Sequence, residues 1–170
     1  LMESLTPRET VEELDKYKND AALCKWMPSA HLIDFTNPKA QGKLEKFYAK
    51  LAEISLPLLL HTGVETSIPS AREGYDKFNS PKYIEKALDM GVAVILAHCG
   101  SSYFDALQED FVDDALRLFN RQRRDRPNWK LYADISALFS PFRARKILNL
   151  VFRNIYPGKL IYGSDFPNPA

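Results

Sequence analysis

Cysteine is scarce: Cys24 and Cys99 are the two in 170 residues. Each sits within or beside an apolar run, which predicts reduced, buried thiols and argues against a disulfide framework. Net charge is nearly absent, at +1. No strong field therefore draws the chain toward nucleic acid or an acidic membrane surface, and the expected partner is a small-molecule substrate. The basic cluster Arg121, Arg123, Arg124 and Arg126 is the local exception. It alternates with Asp125 and precedes Pro127, so it reads as a solvated helix end, where cations also favour the helix dipole. No apolar run approaches the ~20 residues that span a bilayer. No signal peptide is visible, and a cytoplasmic location is expected. No glycine-rich phosphate loop follows any apolar run, which disfavours a dinucleotide-binding domain. No low-complexity stretch or linker interrupts the sequence, which predicts a single domain over residues 1–170. What remains is 45% hydrophobic and 26% charged, the profile of a globular chain with a core.

That core has a clear period. Short, nearly continuous apolar runs at Leu23–Met27, Leu56–Leu60, Val92–Ala97, Lys130–Ile135 and Leu160–Tyr162 predict strands buried on both faces, as in a parallel sheet. Amphipathic stretches lie between them. Thr6-Pro7-Arg8-Glu9 has the pattern of a capping box with proline at the first helical position. Asn37-Pro38, Ser80-Pro81 and Ser140-Pro141 repeat the device of a cap followed by proline. Behind these starts, Leu44, Phe47, Tyr48 and Leu51 share one helical face. So do Tyr83, Ile84, Ala87 and Leu88, and then Ile147, Leu148, Val151 and Phe152. Phe111 to Phe119 supplies a further helix. Asp89-Met90-Gly91 closes one helix, and Pro157-Gly158 marks the turn before the last strand. Strict strand–helix alternation predicts an α/β fold with a parallel sheet. Five strands are too few to close an eight-stranded barrel, so the sheet is open or belongs to a larger barrel.

The chemistry-bearing residues gather where strands end. Leu56–Leu60 runs into His61-Thr62-Gly63, Val92–Ala97 into His98-Cys99-Gly100, and Leu160–Gly163 into Ser164-Asp165-Phe166-Pro167. In barrels, polar residues at the C-terminal ends of strands line the active site. Two imidazoles and a carboxylate converging there form a donor set that a borderline divalent metal such as zinc accepts. Any one of them alone reads more simply as a packed histidine or a turn aspartate. The same placement three times, each with a glycine beside or near it, favours a joint site. Cys99 beside His98 is a poor nucleophile pair if both lie on a strand, because neighbours there face opposite ways.

The ordered motifs Cys24-Lys25-Trp26-Met27-Pro28, LLLHTG at 58–63, VILAHCG at 94–100 and IYGSDFP at 161–167 resemble the amidohydrolase superfamily. Within it, the chain is similar to the amidohydrolase-related branch of TIM-barrel metal-dependent hydrolases and decarboxylases. The resemblance implies a partial (β/α)8 barrel, strands four to eight with their helices, forming the C-terminal part of the family fold. It implies that His61 ends strand five and binds metal. His98 ends strand six, where it binds metal or contacts substrate and the reacting water. Asp165 ends strand eight, where it binds metal and acts as general base. A His-x-His pair on the first strand is part of the family pattern and does not occur here. His31 stands alone in a loop and reads as a surface or pocket residue. In some members the strand-four lysine is carboxylated, so Lys25 is a candidate metal bridge or substrate-carboxylate binder, against a lysine that snorkels at a strand end.

The long segment after His61 holds Arg72, a candidate to pair bidentately with a substrate carboxylate, against an ordinary solvent-facing arginine. Trp26, Tyr103 and Phe166 read equally as pocket lining or core. The resemblance implies a divalent metal cofactor, zinc first, with manganese and iron as alternatives. The leading expectation is a hydrolase in which metal-activated water attacks an amide, ester or lactone carbon. A decarboxylase of an aromatic or unsaturated acid on the same scaffold is the first alternative. The second is an inactive barrel fragment of structural value. An open sheet edge near strand four calls for cover by further chain or by a second copy in a homo-oligomer.

Overall fold

The computed structural model describes residues 7–64, 73–101, 111–136 and 151–163. Its elements follow the expected alternation: α1 (Pro7–Tyr17), β1 (Cys24–Trp26), α2 (Pro38–Glu53), β2 (Leu58–His61), α3 (Glu85–Asp89), β3 (Val94–Ala97), α4 (Val112–Arg124), β4 (Leu131–Asp134) and β5 (Leu160–Ile161). Residues 151–154 are also helical. The five strands form one parallel sheet in the order β1-β2-β3-β4-β5. Spatial order equals chain order. A doubly wound sheet reverses direction partway and carries helices on both faces; a barrel winds in one direction with its helices outside.

Side-chain burial shows the one-sided wrapping. Leu58, Leu60, Val94, Leu96, Leu131 and Ala133 point to one face and are buried in a single core with Phe47, Leu51, Ile84, Leu88, Leu118 and Val151 of the helical layer. On the other face Leu59, Ile95 and Tyr132 are half-buried, while Lys25 and Ile161 are exposed. The expectation of strands buried on both faces therefore holds only for the helix-covered face. The architecture is that of an unclosed barrel wall: helices outside, and an inner face half-buried at mid-sheet and buried at the strand ends around His61 and Ala97.

Local chemistry explains most boundaries. Asn37 caps α2, its side-chain oxygen accepting from Lys39 N–H at 3.0 Å with Pro38 at the first helical position. Ser80 does the same for a 3-10 turn over Pro81–Ile84, accepting from Lys82 N–H, and α3 follows directly. The helix expected there is thus split between two geometries. Gly91 closes α3 with φ +85°. Phe47, Tyr48 and Leu51 are buried and Leu44 is packed against them. Of the last predicted apolar face, Val151 is buried and Phe152 is 49% exposed, while Ile147 and Leu148 lie outside the described residues. Thr6 and Ser140 lie outside the described residues. Among the described residues no helix is long and apolar enough to cross a membrane.

The basic cluster behaves as a helix end. Arg121 pairs with Glu85 and lies over the Trp129 ring at 5.2 Å, Arg126 reaches Asp89 at 3.5 Å, and Arg123 donates to Asn120. Neither cysteine is joined in a disulfide. Cys99 is buried in the core, but Cys24 is only partly covered; burial still pushes its thiol up to about 11.

Candidate active site

The parallel register sets the level of each residue at the C-terminal end of the sheet. His61 pairs with Ala97, and one step beyond the Leu96–Ala133 pair lies Asp134. By the two-residue period, His61, Ala97 and Asp134 share the inner face. Ala97 is small, so the space above it is open to the residue that follows. That residue is His98, which leaves the strand in a left-handed backbone turn: φ is +60° at His98 and +51° at Cys99. Such angles cost roughly 1–2 kcal/mol per non-glycine residue. The turn is held by Ser101, whose N–H and hydroxyl both donate to the His98 carbonyl, at 2.9 and 2.7 Å. Its effect is to place the His98 ring against His61. The two imidazole centroids are 5.3 Å apart at an interplanar angle of 70°, and both residues are 3% exposed. The structure brings the rings of these two candidate residues together.

Thr62 ties these two strand ends together. Its hydroxyl donates to the Ala97 carbonyl and accepts from Gly100 N–H at 2.8 Å. Gly63 and Gly100 serve the same contact. A Cβ at Gly63, where φ is +98°, would overlap the Ser101 carbonyl, and one at Gly100 would meet the Phe111 carbonyl oxygen at 2.5 Å. These glycines bring backbone against backbone. The turn also corrects the reasoning about Cys99. His98 and Cys99 are not strand neighbours; the turn sends Cys99 into the core and His98 to His61, and the two remain separated.

Asp134 and Ser136 carry a network that strand-end counting passed over. Asp134 accepts from Ser136 N–H and Ser136 Oγ–H, both at 2.6 Å. Ser136 in turn lies against His98: Nδ1 is 3.1 Å from its Oγ and 3.3 Å from its carbonyl oxygen. A Cβ at Gly163 would come within 2.8 Å of the Asp134 carboxylate, so glycine there admits close approach of the chain two residues before Asp165. The sequence offered only the local half of this, since Asp-x-Ser is the spacing of an aspartate that folds onto its own backbone two residues on; the tie to His98 is set by the register. Ser29 and Asn79 similarly join the loops after β1 and β2, through hydrogen bonds of 3.1 and 3.0 Å.

The other expected site residues divide. Lys25 shares the inner face with His61 and lies lower on the sheet, paired with Leu59. It is exposed, so its ammonium stays in solvent. Trp26 belongs to the core: it stacks on Phe47 at 4.4 Å and 16°, near Tyr48 and Phe35. His31 follows β1 at the same end of the sheet. Its Nδ1 accepts from Met27 N–H at 3.2 Å, and burial lowers its pKa. Asp165, Arg72, Tyr103 and Phe166 lie outside the described residues.

Two adjacent buried imidazoles thus lie on neighbouring strand ends, beside a carboxylate-anchored serine, at the end of the sheet where barrels carry their active-site residues. A family model described as Amidohydrolase matches residues 4–170. The chain belongs to the amidohydrolase family. No match to it was found among curated proteins. Membership agrees with the observed strand order and with the amidohydrolase-related TIM-barrel branch, whose members are typically metal-dependent. Among the described residues of this amidohydrolase, no group of three or more His, Cys, Asp or Glu could hold a metal ion. The donor chemistry nonetheless fits one: His61 and His98 supply two neighbouring imidazoles, the nitrogen ligands that zinc, manganese and iron share.

Proposed function

We propose that this amidohydrolase is a metal-dependent hydrolase of amides, esters or lactones. One observation carries the reading: His61 and His98 lie side by side, buried, at the C-terminal ends of adjacent parallel strands. Buried imidazoles contribute little to a core, and here a left-handed turn brings one of them to the other.

In this reading His61 and His98 hold the ion, zinc by preference, and Asp165 completes the set. When bound, the ion lowers the pKa of a water toward neutrality and polarises the substrate carbonyl. Asp165, as the strand-eight carboxylate, takes the proton from the attacking water. Where His61 and Asp165 hold the ion without it, His98, held from behind by Ser136, polarises the substrate instead. Lys25, exposed on the same inner face, and Arg72 are the cations proposed to receive an anionic end of the substrate.

The test is elemental analysis of protein dialysed without chelator, with His61→Ala alongside. Zinc, manganese or iron retained by the parent and lost in the variant is the expected result. Equal metal in both proteins, or none in either, overturns the assignment of His61 as a ligand.

A further inference from the structure

We infer that Asp134 and Ser136 form a relay that fixes the tautomer of His98, so that Nδ1 carries the proton and Nε2 is the nitrogen offered to the site. It deepens the proposed function by naming which atom of His98 serves it, but the inference itself rests on hydrogen-bond geometry alone.

The argument is one of donors and acceptors. The Ser136 carbonyl oxygen, 3.3 Å from His98 Nδ1, can only accept. The Ser136 hydroxyl, 3.1 Å from the same nitrogen, has a single hydrogen, and that hydrogen points at Asp134 Oδ2, 2.6 Å away. A carboxylate has no hydrogen to return, so the hydroxyl can offer Nδ1 nothing but a lone pair. Two acceptors thus converge on Nδ1, and only an N–H satisfies both. In a neutral imidazole the proton on one nitrogen leaves the lone pair on the other, and the partner of the first decides the tautomer.

The carboxylate is itself fixed. Ser136 N–H donates to Asp134 Oδ1 at 2.6 Å, closing a two-residue turn at the end of β4. Gly163 brings the end of the neighbouring strand against the same group, where a Cβ would stand 2.8 Å from Oδ1. Asp134 therefore acts on His98 only through Ser136 and is a positioning residue. Its function is to keep the serine hydroxyl hydrogen turned away from the ring.

Removing the carboxylate should free that hydrogen. In Asp134→Asn the amide nitrogen replaces Oδ2 and donates to Ser136 Oγ, so the hydroxyl turns its hydrogen toward Nδ1. The ring then meets one donor and one acceptor at the same nitrogen, and the other tautomer becomes populated. Deleting the hydroxyl as well leaves the carbonyl alone, which restores Nδ1–H.

The experiment is ¹⁵N NMR of histidine-labelled, metal-free protein in alkaline buffer, where the rings are neutral. The chain has three histidines, and loss of a signal in His98→Gln assigns the one in question. In the parent, His98 Nδ1 is expected at a protonated, pyrrole-type shift. Asp134→Asn should move it toward the unprotonated, pyridine-type shift, Ser136→Ala should leave it unchanged, and Asp134→Asn with Ser136→Ala should return it to the parent value. General loosening of the site would not be reversed by a second truncation. A pyridine-type Nδ1 in the parent overturns the inference without any variant. So does an Asp134→Asn spectrum like the parent's, a changed shift in Ser136→Ala, or a double variant that fails to recover. If Asp134→Asn does not fold, Asp134→Ala makes the same prediction by exposing the same hydroxyl hydrogen. Because neither metal nor turnover is read, failure of the hydrolase assignment leaves this result standing, and failure here leaves metal retention by His61 untouched.

Discussion

A threonine ties together the two strand ends that carry His61 and His98. Thr62 Oγ1 is buried and makes two hydrogen bonds that cross from β2 to the turn after β3, giving its proton to Ala97 and taking one from Gly100. Both partners are main-chain groups at the place where regular sheet pairing stops. Valine has the shape of threonine without the oxygen, so Thr62→Val would leave a buried N–H and a buried carbonyl without that partner. The cost is expected at about 1–3 kcal/mol, the desolvation penalty of stranded polar groups. Serine keeps the oxygen and should retain most of the stability. Urea denaturation of the parent, Thr62→Val and Thr62→Ser checks this. A Thr62→Val protein as stable as the parent would show that the turn is held by Ser101 alone. The importance of Thr62 was hidden in the sequence because a threonine after an apolar strand is unremarkable until its partners, 35 and 38 positions away, are known.

At the scale of elements, what was legible is what depends on neighbours in the chain. Apolar runs located every strand to within a few residues, because a strand buried on its outer face must alternate or run apolar regardless of what it pairs with. Caps were legible for the same reason. Asn37 needs only the N–H two residues on, and substitution by alanine should cost about 1 kcal/mol, read as a lower urea midpoint with unchanged slope. An unshifted midpoint would mean that Pro38 and the packing of Phe47 and Leu51 alone fix the start of α2. What was not legible depends on distant partners. The split of the third helix into a 3-10 turn and α3 goes with the hydrogen bond from Ser80 to Asp114 on α4. Phe152 fits a helical face by spacing yet stands in solvent, since spacing says nothing about how wide the covering contact is. Asp134 and Ser136 escaped because no imidazole sits beside them in sequence; their importance comes from His98, 38 residues earlier than Ser136. His61 and His98 were legible as a pair because the parallel register carries equivalent strand ends to the same level.

Among the described residues the molecule is a barrel wall wound in one direction, with its helical side packed and the candidate site on the inner side. In such an arrangement the core and the site lie on opposite faces of one sheet, so the core can form without the site being satisfied. Stability then has two separable parts: apolar burial on the outer face, and whatever the inner face binds. A ligand that binds only the folded chain raises stability by RT ln(1 + [L]/Kd), about 2.7 kcal/mol at a hundredfold excess over Kd. For a domain of this size each kcal/mol moves Tm by roughly 2–4 °C, so a saturating metal should raise it by roughly 5–10 °C. Thermal unfolding after chelator treatment, repeated with zinc and with manganese, gives the measurement, and chelator added back should reverse the shift. His61→Ala should lower the response to the ion while leaving the metal-free Tm close to the parent's, since His61 is not among the apolar residues that form the core. A metal-free Tm that falls as far as the metal-bound one would mean that His61 supports the fold itself. An equal rise in parent and variant would place the ion elsewhere on the chain, away from the pair of imidazoles that the register brings together.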